Sequence, residues 1–444
     1  MRNCGIVGNL KTGKPIYSTY ETGECSFHYY PSEETGRKAM RKGLAMFVAV
    51  VVSVMFLVSS VSSFAADEIK VGIIDTYSGP PSSYALDVLD GFKLALNKIN
   101  ADGGVVGKKI VFVTRDDKFK VDLGLTAAKE LIMRENVTIL MGTINSAVSL
   151  AVSDLAKKEK IPFLVTYGKS SNITGAKGHK YVFSMNENTE MIGKAAAIGL
   201  SKRPFVNYWI AGDDYEYGHA IADAVWNHLK KIKPDVQLMG QSWWKVGEPD
   251  FTPYITSILS SKPDAVIVAT GGAGCIPFLK AAKNTGFTSK VPIYMHTGTE
   301  LSTLRPLGLD APEGVIGTSN YYFYYPETPE NKIFVEEFKK AYGRFPSFGS
   351  LIGLYTANFI AKAFEKAGKV DSEKFAEALS GLTIDSPVGK LTVREFDNQV
   401  MLPMFMGVTK KVPGFDFLIA TDIVTIPSDE LMPSIENIKT IREK

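Results

Sequence analysis

The sequence predicts an α/β protein made of two successive parallel-sheet lobes. Three observations carry that prediction. From Glu68 onward, short β-branched runs alternate with longer stretches of helical period. The alternation breaks near Phe183–Asn188 and then resumes, and the break holds no Gly/Ser-rich linker. Strands that alternate with helices make parallel sheets covered on both faces, and a strand-like crossing suits a hinge better than a flexible tether.

The elements follow in chain order. Ile69–Asp75 reads as a strand, Tyr84–Asn100 as a helix ending at Gly103-Gly104, Lys109–Arg115 as a strand, Val121–Arg134 as a helix and Val137–Met141 as a strand. Ser146–Lys158 is a helix and Pro162–Val165 a strand. The second series runs helix Thr189–Leu200, strand Asn207–Ala211, helix His219–Ile232, strand Gln237–Trp244 and helix Thr252–Ser260. It continues with strand Ala265–Ala269, helix Gly274–Thr285 and strand Pro292–His296. Two strong helices, Pro329–Ala341 and Ser350–Ala367, precede Lys390–Arg394, Leu402–Thr409 and Phe415–Thr421, which read as antiparallel strands. In such lobes the ligand-binding loops stand at the carboxyl ends of the strands.

Composition narrows the function. The 444 residues hold 50 Lys+Arg and 47 Asp+Glu, but seven of those cations and four of those acids lie before Asp67, so the remainder is neutral. A neutral body with no basic run argues against nucleic acid, whose affinity comes from clustered Lys/Arg releasing counterions. Cys4 and Cys25 precede the body and Cys275 alone lies in it, which leaves no disulfide framework and no Cys-based metal site. A lone Cys is most often a small buried hydrophobe.

Arg37, Lys38, Arg41 and Lys42 precede an apolar run from Leu44 to Val58, followed by small residues and Ser63-Phe64-Ala65. This is the order of a secretory signal peptide, with cleavage expected after Ala65. The run is shorter than the roughly 20 residues that span a bilayer. No Cys at the cleavage site carries a lipid, so the mature protein is expected free in the periplasm. Residues 1–36 show no period and read as a dispensable or mis-assigned extension, with translation starting at Met1 or Met40.

His28, His179, His219, His228 and His296 form no His-Glu-x-x-His frame, and neither a nucleophile elbow nor a phosphate loop occurs. No cofactor is expected. Gly272-Ala273-Gly274 is half a dinucleotide fingerprint or a tight strand-to-helix turn whose N–H groups hold a polar ligand group, and Gly271 beside it joins the candidate ligand residues. Asp213-Asp214 reads by default as a polar loop.

Hydroxyls and aromatics recur just past the strand ends: Ser78 and Tyr84; Thr143, Asn145 and Ser146; Tyr167 and Lys169; Tyr217; Thr297. Ser146 opens a helix, where a hydroxyl and free N–H groups face an anion at the positive end of the dipole; the alternative is that Asn145 or Ser146 merely caps it. Tyr84 and Tyr217 are placed at loop tips closing an apolar cleft. The pattern is a small-molecule cleft with polar groups for orientation and no reactive group.

These residues resemble the branched-chain amino-acid-binding (leucine/isoleucine/valine-binding) type of solute-binding protein, the extracytoplasmic component of ABC importers. The matching signatures are Ser78-Gly79-Pro80, Asn97 through Lys108, Asp116-Asp117, Tyr217-Gly218, Gly247 through Thr252 and Lys262 through Ala265, in that order. The resemblance implies two Rossmann-like lobes joined by a three-segment hinge, the type I periplasmic-binding-protein fold, with crossings near Asn188, Asn320 and Pro387. It divides the chain into residues 1–36 and 37–65 (extension and signal peptide), 67–187 with 320–386 (lobe 1), and 188–319 with 387–444 (lobe 2).

It also implies that Ser146 holds a ligand carboxylate and that Tyr84 and Tyr217 line the two sides. Two positions depart from the family. Tyr167-Gly168-Lys169 stands where amino-acid binders carry small residues and a Thr, and the acid that takes the ligand ammonium is replaced around Thr297, with Glu300 the nearest acid. Either Lys169 faces the ligand and the ligand needs no amino group, or Lys169 points to solvent, Glu300 shifts into place and an aliphatic amino acid binds. The expected function is therefore capture of a small amino acid or related organic carboxylate by a non-enzymatic monomer that delivers it to a membrane permease. A sensory module of the same fold and an exported enzyme are the alternatives; transport is favoured because no membrane or signalling segment follows Lys444.

Overall fold

The computed structural model describes residues 18–21, 24–27, 68–79, 81–271 and 274–443. The signal-peptide segment, the cleavage site at Ala65 and the Gly272-Ala273 pair lie outside the described residues. Met1–Ala66 forms one unit and Asp67–Lys444 another. In the first, β1 (Ser18–Glu21) pairs antiparallel with β2 (Glu24–Phe27), Ser18 opposite Phe27. This corrects the expectation of no strand there: Thr19, Tyr20, Cys25 and Phe27 are strand-compatible residues in runs too short to display a period.

In the second unit, β3 (Ile69–Asp75), α1 (Ser82–Ala101), β4 (Ile110–Asp116), α2 (Val121–Met133), β5 (Ile139–Gly142), α3 (Ser146–Glu159), β6 (Phe163–Val165) and β7 (Val182–Ser184) build the first lobe. Its sheet is all parallel, in the order β4-β3-β5-β6-β7. Every residue of β3 but Lys70 is buried, as a strand covered on both faces must be.

The chain then crosses into α4 (Thr189–Ser201), β8 (Asn207–Asp213), α5 (Glu216–Ile232), β9 (Gln237–Trp244), α6 (Thr252–Ser261), β10 (Ala265–Ala269), α7 (Cys275–Asn284), β11 (Ile293–Met295), α8 (Leu301–Leu307) and β12 (Ile316–Ser319). Five parallel strands, β12-β11-β10-β8-β9, centre the second sheet. Returning, α9 (Pro329–Tyr342) and α10 (Phe348–Ala367) lead to α11 (Ser372–Leu379) and a small antiparallel sheet of β13 (Thr383–Ser386), β14 (Gly389–Val393) and β15 (Val400–Met401). Finally β16 (Met404–Lys410) and β17 (Ile419–Ile426) extend the second sheet antiparallel, before α12 (Ser428–Leu431) and α13 (Ile435–Arg442).

Helix α10 lies against α1 at very short range. A Cβ built on Gly91 would stand 1.8 Å from the Ser350 carbonyl oxygen, and one on Gly353 would stand 1.9 Å from that of Val88. We therefore expect Gly91→Ala to lower the unfolding free energy by about 1–3 kcal/mol through overpacking. A urea midpoint unchanged from the parent would show that the helices separate without cost.

Three crossings join the lobes. The chain passes between the sheets at residues 185–188, again in the segment beginning at Asn320, and a third time between Met401 and Met404, beyond Pro387. Pro387 sits instead in the short link between β13 and β14. Residues 388–401 stay with the first lobe, where Ser184 bridges Gln399; beyond β17, Arg442 of α13 donates back to the Gly175 carbonyl of that lobe. The three segments are stitched by side-chain amides: Gln399 Nε2 donates to the Asn186 carbonyl at 2.5 Å, Asn188 Nδ2 to Gln399 Oε1 at 3.2 Å, and Asn320 Nδ2 to the Pro403 carbonyl at 2.7 Å. The elements of this unit absent from the sequence reading, β7, β12, α8, α11, β13, β15 and the two C-terminal helices, are all eight residues or fewer.

Candidate ligand-binding site

A cavity of about 300 Å³ opens between the lobes at the carboxyl ends of their parallel strands. All nine expected residues reach its wall: Ser78, Tyr84, Asn145, Ser146, Tyr167 and Lys169 from the first lobe, and Tyr217, Gly271 and Thr297 from the second. Phe119, Asp213, Tyr215 and Val246 join them.

The start of α3 resolves the capping question. Asn145 is the cap: its Oδ1 accepts from the Ala147 N–H at 2.9 Å, and its Nδ2 donates to the Phe119 carbonyl at 3.1 Å. Ser146 is the first helical residue, and its Oγ accepts from the backbone N–H groups of Lys169 (3.1 Å) and Ser170 (3.2 Å). Its lone pairs are engaged while its proton can still be donated, at the positive end of a 14-residue helix.

Phe119 enters the wall through an Asp-built loop. Asp116 Oδ1 accepts from the N–H of Lys118 at 2.9 Å, and Asp117 Oδ1 from that of Phe119 at 2.8 Å, which supports positive φ values of 50° and 63°. The Asp116-Asp117 pair was legible; the ring it delivers was not.

Tyr84 and Tyr217 are not at loop tips. Each lies in the first turn of a helix, α1 and α5, and each is buried. Burial drives both phenols well above the usual tyrosine range, so they remain neutral donors and acceptors. Tyr84 meets Tyr167 edge-on at 5.4 Å, a geometry that favours aromatic pairs.

Asp213 is no solvated loop residue either. It ends β8, buried, because Trp244 and Thr270 give its carboxylate partners that a sequence cannot reveal. Oδ1 accepts from the Trp244 indole N–H at 2.8 Å, and Oδ2 from the Thr270 hydroxyl and the Gly271 N–H. Burial raises its pKa. Asp214 is exposed and pairs with His219. Thr297 lies 2.7 Å from the Cys275 sulfur, whose thiol burial pushes up to about 12.

Lys169 neither points to solvent nor stands as a bare cation. It is 4% exposed, its ammonium forms an ion pair with Glu187 Oε1, and the Tyr167 and Phe348 rings lie 4.9 and 5.4 Å away. Glu187 stands on the first crossing and also meets His296 Nε2 at 3.2 Å, while His296 Nδ1 meets the Thr318 hydroxyl at 2.8 Å. Burial opposes ionisation of Glu187, but Lys169 and His296 outweigh it and hold its pKa below the usual value. Burial also lowers the His296 pKa, leaving a neutral imidazole that donates through Nε2. Glu300 is 2% exposed, its Oε1 has no hydrogen-bond partner among the described residues, and burial pushes its pKa up to about 8. It does not line the cavity. Among the described residues no group of acids, histidines and cysteines could hold a metal ion.

Residues 68–412 match the family model of the periplasmic binding proteins. The leucine-, isoleucine-, valine-, threonine- and alanine-binding protein of Pseudomonas aeruginosa is 28% identical over 338 residues, covering 74% of this chain and 86% of that protein. Among solved structures, a solute-binding protein of an ABC transporter from Rhodopseudomonas palustris, in complex with 3,4-dihydroxybenzoic acid, shares the fold at TM-score 0.73 and 22% identity, covering 82% of this chain and 98% of that one. An ABC-type branched-chain amino acid transporter from the same species gives a TM-score of 0.69 at 25% identity, covering 83% and 99%.

Proposed function

We propose, because the chain belongs to the periplasmic binding protein family, that it is the solute-binding component of an ABC importer. It captures a small amino acid of branched-chain type or a related organic carboxylate between its lobes and delivers it, as a monomer, to a membrane permease. One observation carries this reading: a cavity shared by both lobes, walled mostly by apolar and aromatic side chains, with the Ser146 hydroxyl at a helix N-terminus to receive a carboxylate. Closure about the three amide-stitched crossings would enclose the solute.

Thermal unfolding tests it. Protein stripped of ligand by unfolding and refolding is scanned with leucine, its 2-oxo analogue and benzoate. A true ligand at 100 times its Kd adds about 2.7 kcal/mol of stability, whereas no shift with any small carboxylate would remove the reading. Ser146→Ala should weaken a carboxylate ligand about 10–100-fold, the range for a hydrogen bond to a charged group. Calorimetric titration giving the parental Kd would exclude Ser146 from the contact.

Residues 37–65 act, in this reading, as a cleaved signal peptide that releases the protein into the periplasm. Among the described residues no helix is long and apolar enough to cross a membrane. N-terminal sequencing of the periplasmic fraction is expected to begin at Ala66, and a start upstream of Leu44 would refute cleavage.

A further inference from the structure

A solute bearing an ammonium group needs a carboxylate free to receive it, because a buried, unpaired cation is strongly disfavoured. Among the described residues Asp213 is the one carboxyl group in the cavity wall, and Glu187 and Glu300 stand behind it near Lys169. Glu187 lies behind the wall; its Oε1 takes both the Lys169 ammonium and His296, its Oε2 is buried with no hydrogen-bond partner among the described residues, and the Lys169 cation already neutralises its charge. Asp213 accepts from Trp244, Thr270 and Gly271. Glu300 lies behind the wall rather than in it, and burial keeps it protonated near neutral pH.

Donors, by contrast, are available. Lys169 carries three N–H groups and gives one to Glu187, and the Ser146 hydroxyl keeps its proton. Both belong to the first lobe's side of the cavity. Phe119, Tyr167, Tyr215 and Val246 add apolar surface to the same cavity.

We propose that the solute is a carboxylate without an amino group, carried on an aromatic or branched aliphatic body, and that Lys169 decides this by occupying Glu187 with the protein's own ammonium. The inference rests on the solute-binding reading above and sharpens it. Lys169 and Glu187 cancel, so the wall offers an incoming ammonium no net attraction. An incoming carboxylate meets Ser146 and the remaining N–H groups of Lys169.

Titration calorimetry of the unaltered protein with matched pairs tests it: leucine against 4-methyl-2-oxopentanoate, phenylalanine against phenylpyruvate, with benzoate as a third arm that separates an aryl carboxylate from an oxo acid. The amine-free partner of at least one pair, or benzoate, is expected to bind at least about 100-fold more tightly than either amino acid. An amino acid that binds as tightly as its oxo acid overturns the inference and leaves the solute-binding reading intact. No heat from any member overturns both. In Lys169→Met, Glu187 becomes free to receive an ammonium, and the oxo-acid to amino-acid affinity ratio should fall at least about tenfold; an unchanged ratio removes Lys169 as the determinant. Lys169→Arg keeps the cation and should keep the parental preference, which holds the test open if Lys169→Met fails to fold.

Discussion

Glu187→Gln is expected to lower the unfolding free energy by roughly 3–5 kcal/mol, the cost of leaving one member of a buried ion pair unpaired. The substitution preserves shape but removes the charge opposite Lys169, which is 4% exposed and pairs with no other acid among the described residues. The amide oxygen can still accept from His296, so the loss reports the ammonium and not the imidazole. Urea unfolding at pH 7 measures it, and a loss under about 1 kcal/mol would mean that Lys169 is effectively solvated, as for a surface pair. Lys169→Met combined with Glu187→Leu should recover most of the stability, because replacing a whole buried pair with apolar side chains is often neutral or favourable. The same double variant should bind the carboxylate more weakly, for want of the Lys169 N–H groups, yet gain no affinity for an amino acid, because no carboxylate is freed to receive an ammonium.

Glu300 makes stability fall as pH rises. Its carboxyl has an ordinary value of 4.5 when exposed and about 8 when buried in the fold. Below about pH 4.5 both states are protonated and burial of the group is unpenalised. Between these two values the native state holds a proton that the unfolded state has released, so stability drops by about 1.4 kcal/mol per pH unit. The accumulated loss is roughly 4–5 kcal/mol and is complete above about pH 8. Lys169 favours the ionised form and Glu187 opposes it, but burial is the larger effect. Asp75, pushed up to about 7 by burial, contributes a slope of the same sign, so the comparison must be with Glu300→Gln rather than with a flat line. That variant should match the parent near pH 4.5 and exceed it by a few kcal/mol at pH 8.5. Parallel stability curves for the two proteins would show that Glu300 is hydrated in the native state.

Most strands and long helices could be read directly. Gln237–Trp244 and Ala265–Ala269 have the bounds that alternation and β-branched runs predict. The short strands Val182–Ser184 and Ile316–Ser319 could not, because three or four residues carry no period and their identity depends on neighbours in the sheet. The nine cavity residues were legible because parallel α/β lobes put their strand ends on one side, so position along a strand translates into position in space. Phe119 was missed for want of a single step, the Asx-type turn that follows Asp116-Asp117.

The sequence by itself determined two α/β lobes, a cleft between their strand ends and a neutral body with no metal or nucleophile motif. Tertiary structure alone decided the electrostatics of that cleft. Glu187 stands 18 residues from Lys169 and 109 from His296, on a crossing whose path no local propensity specifies. Asp213 likewise finds Trp244 and Thr270, 31 and 57 residues away. Whether a charge is solvated, paired or suppressed depends on distances and burial set when distant segments pack, and residue types in order carry neither quantity.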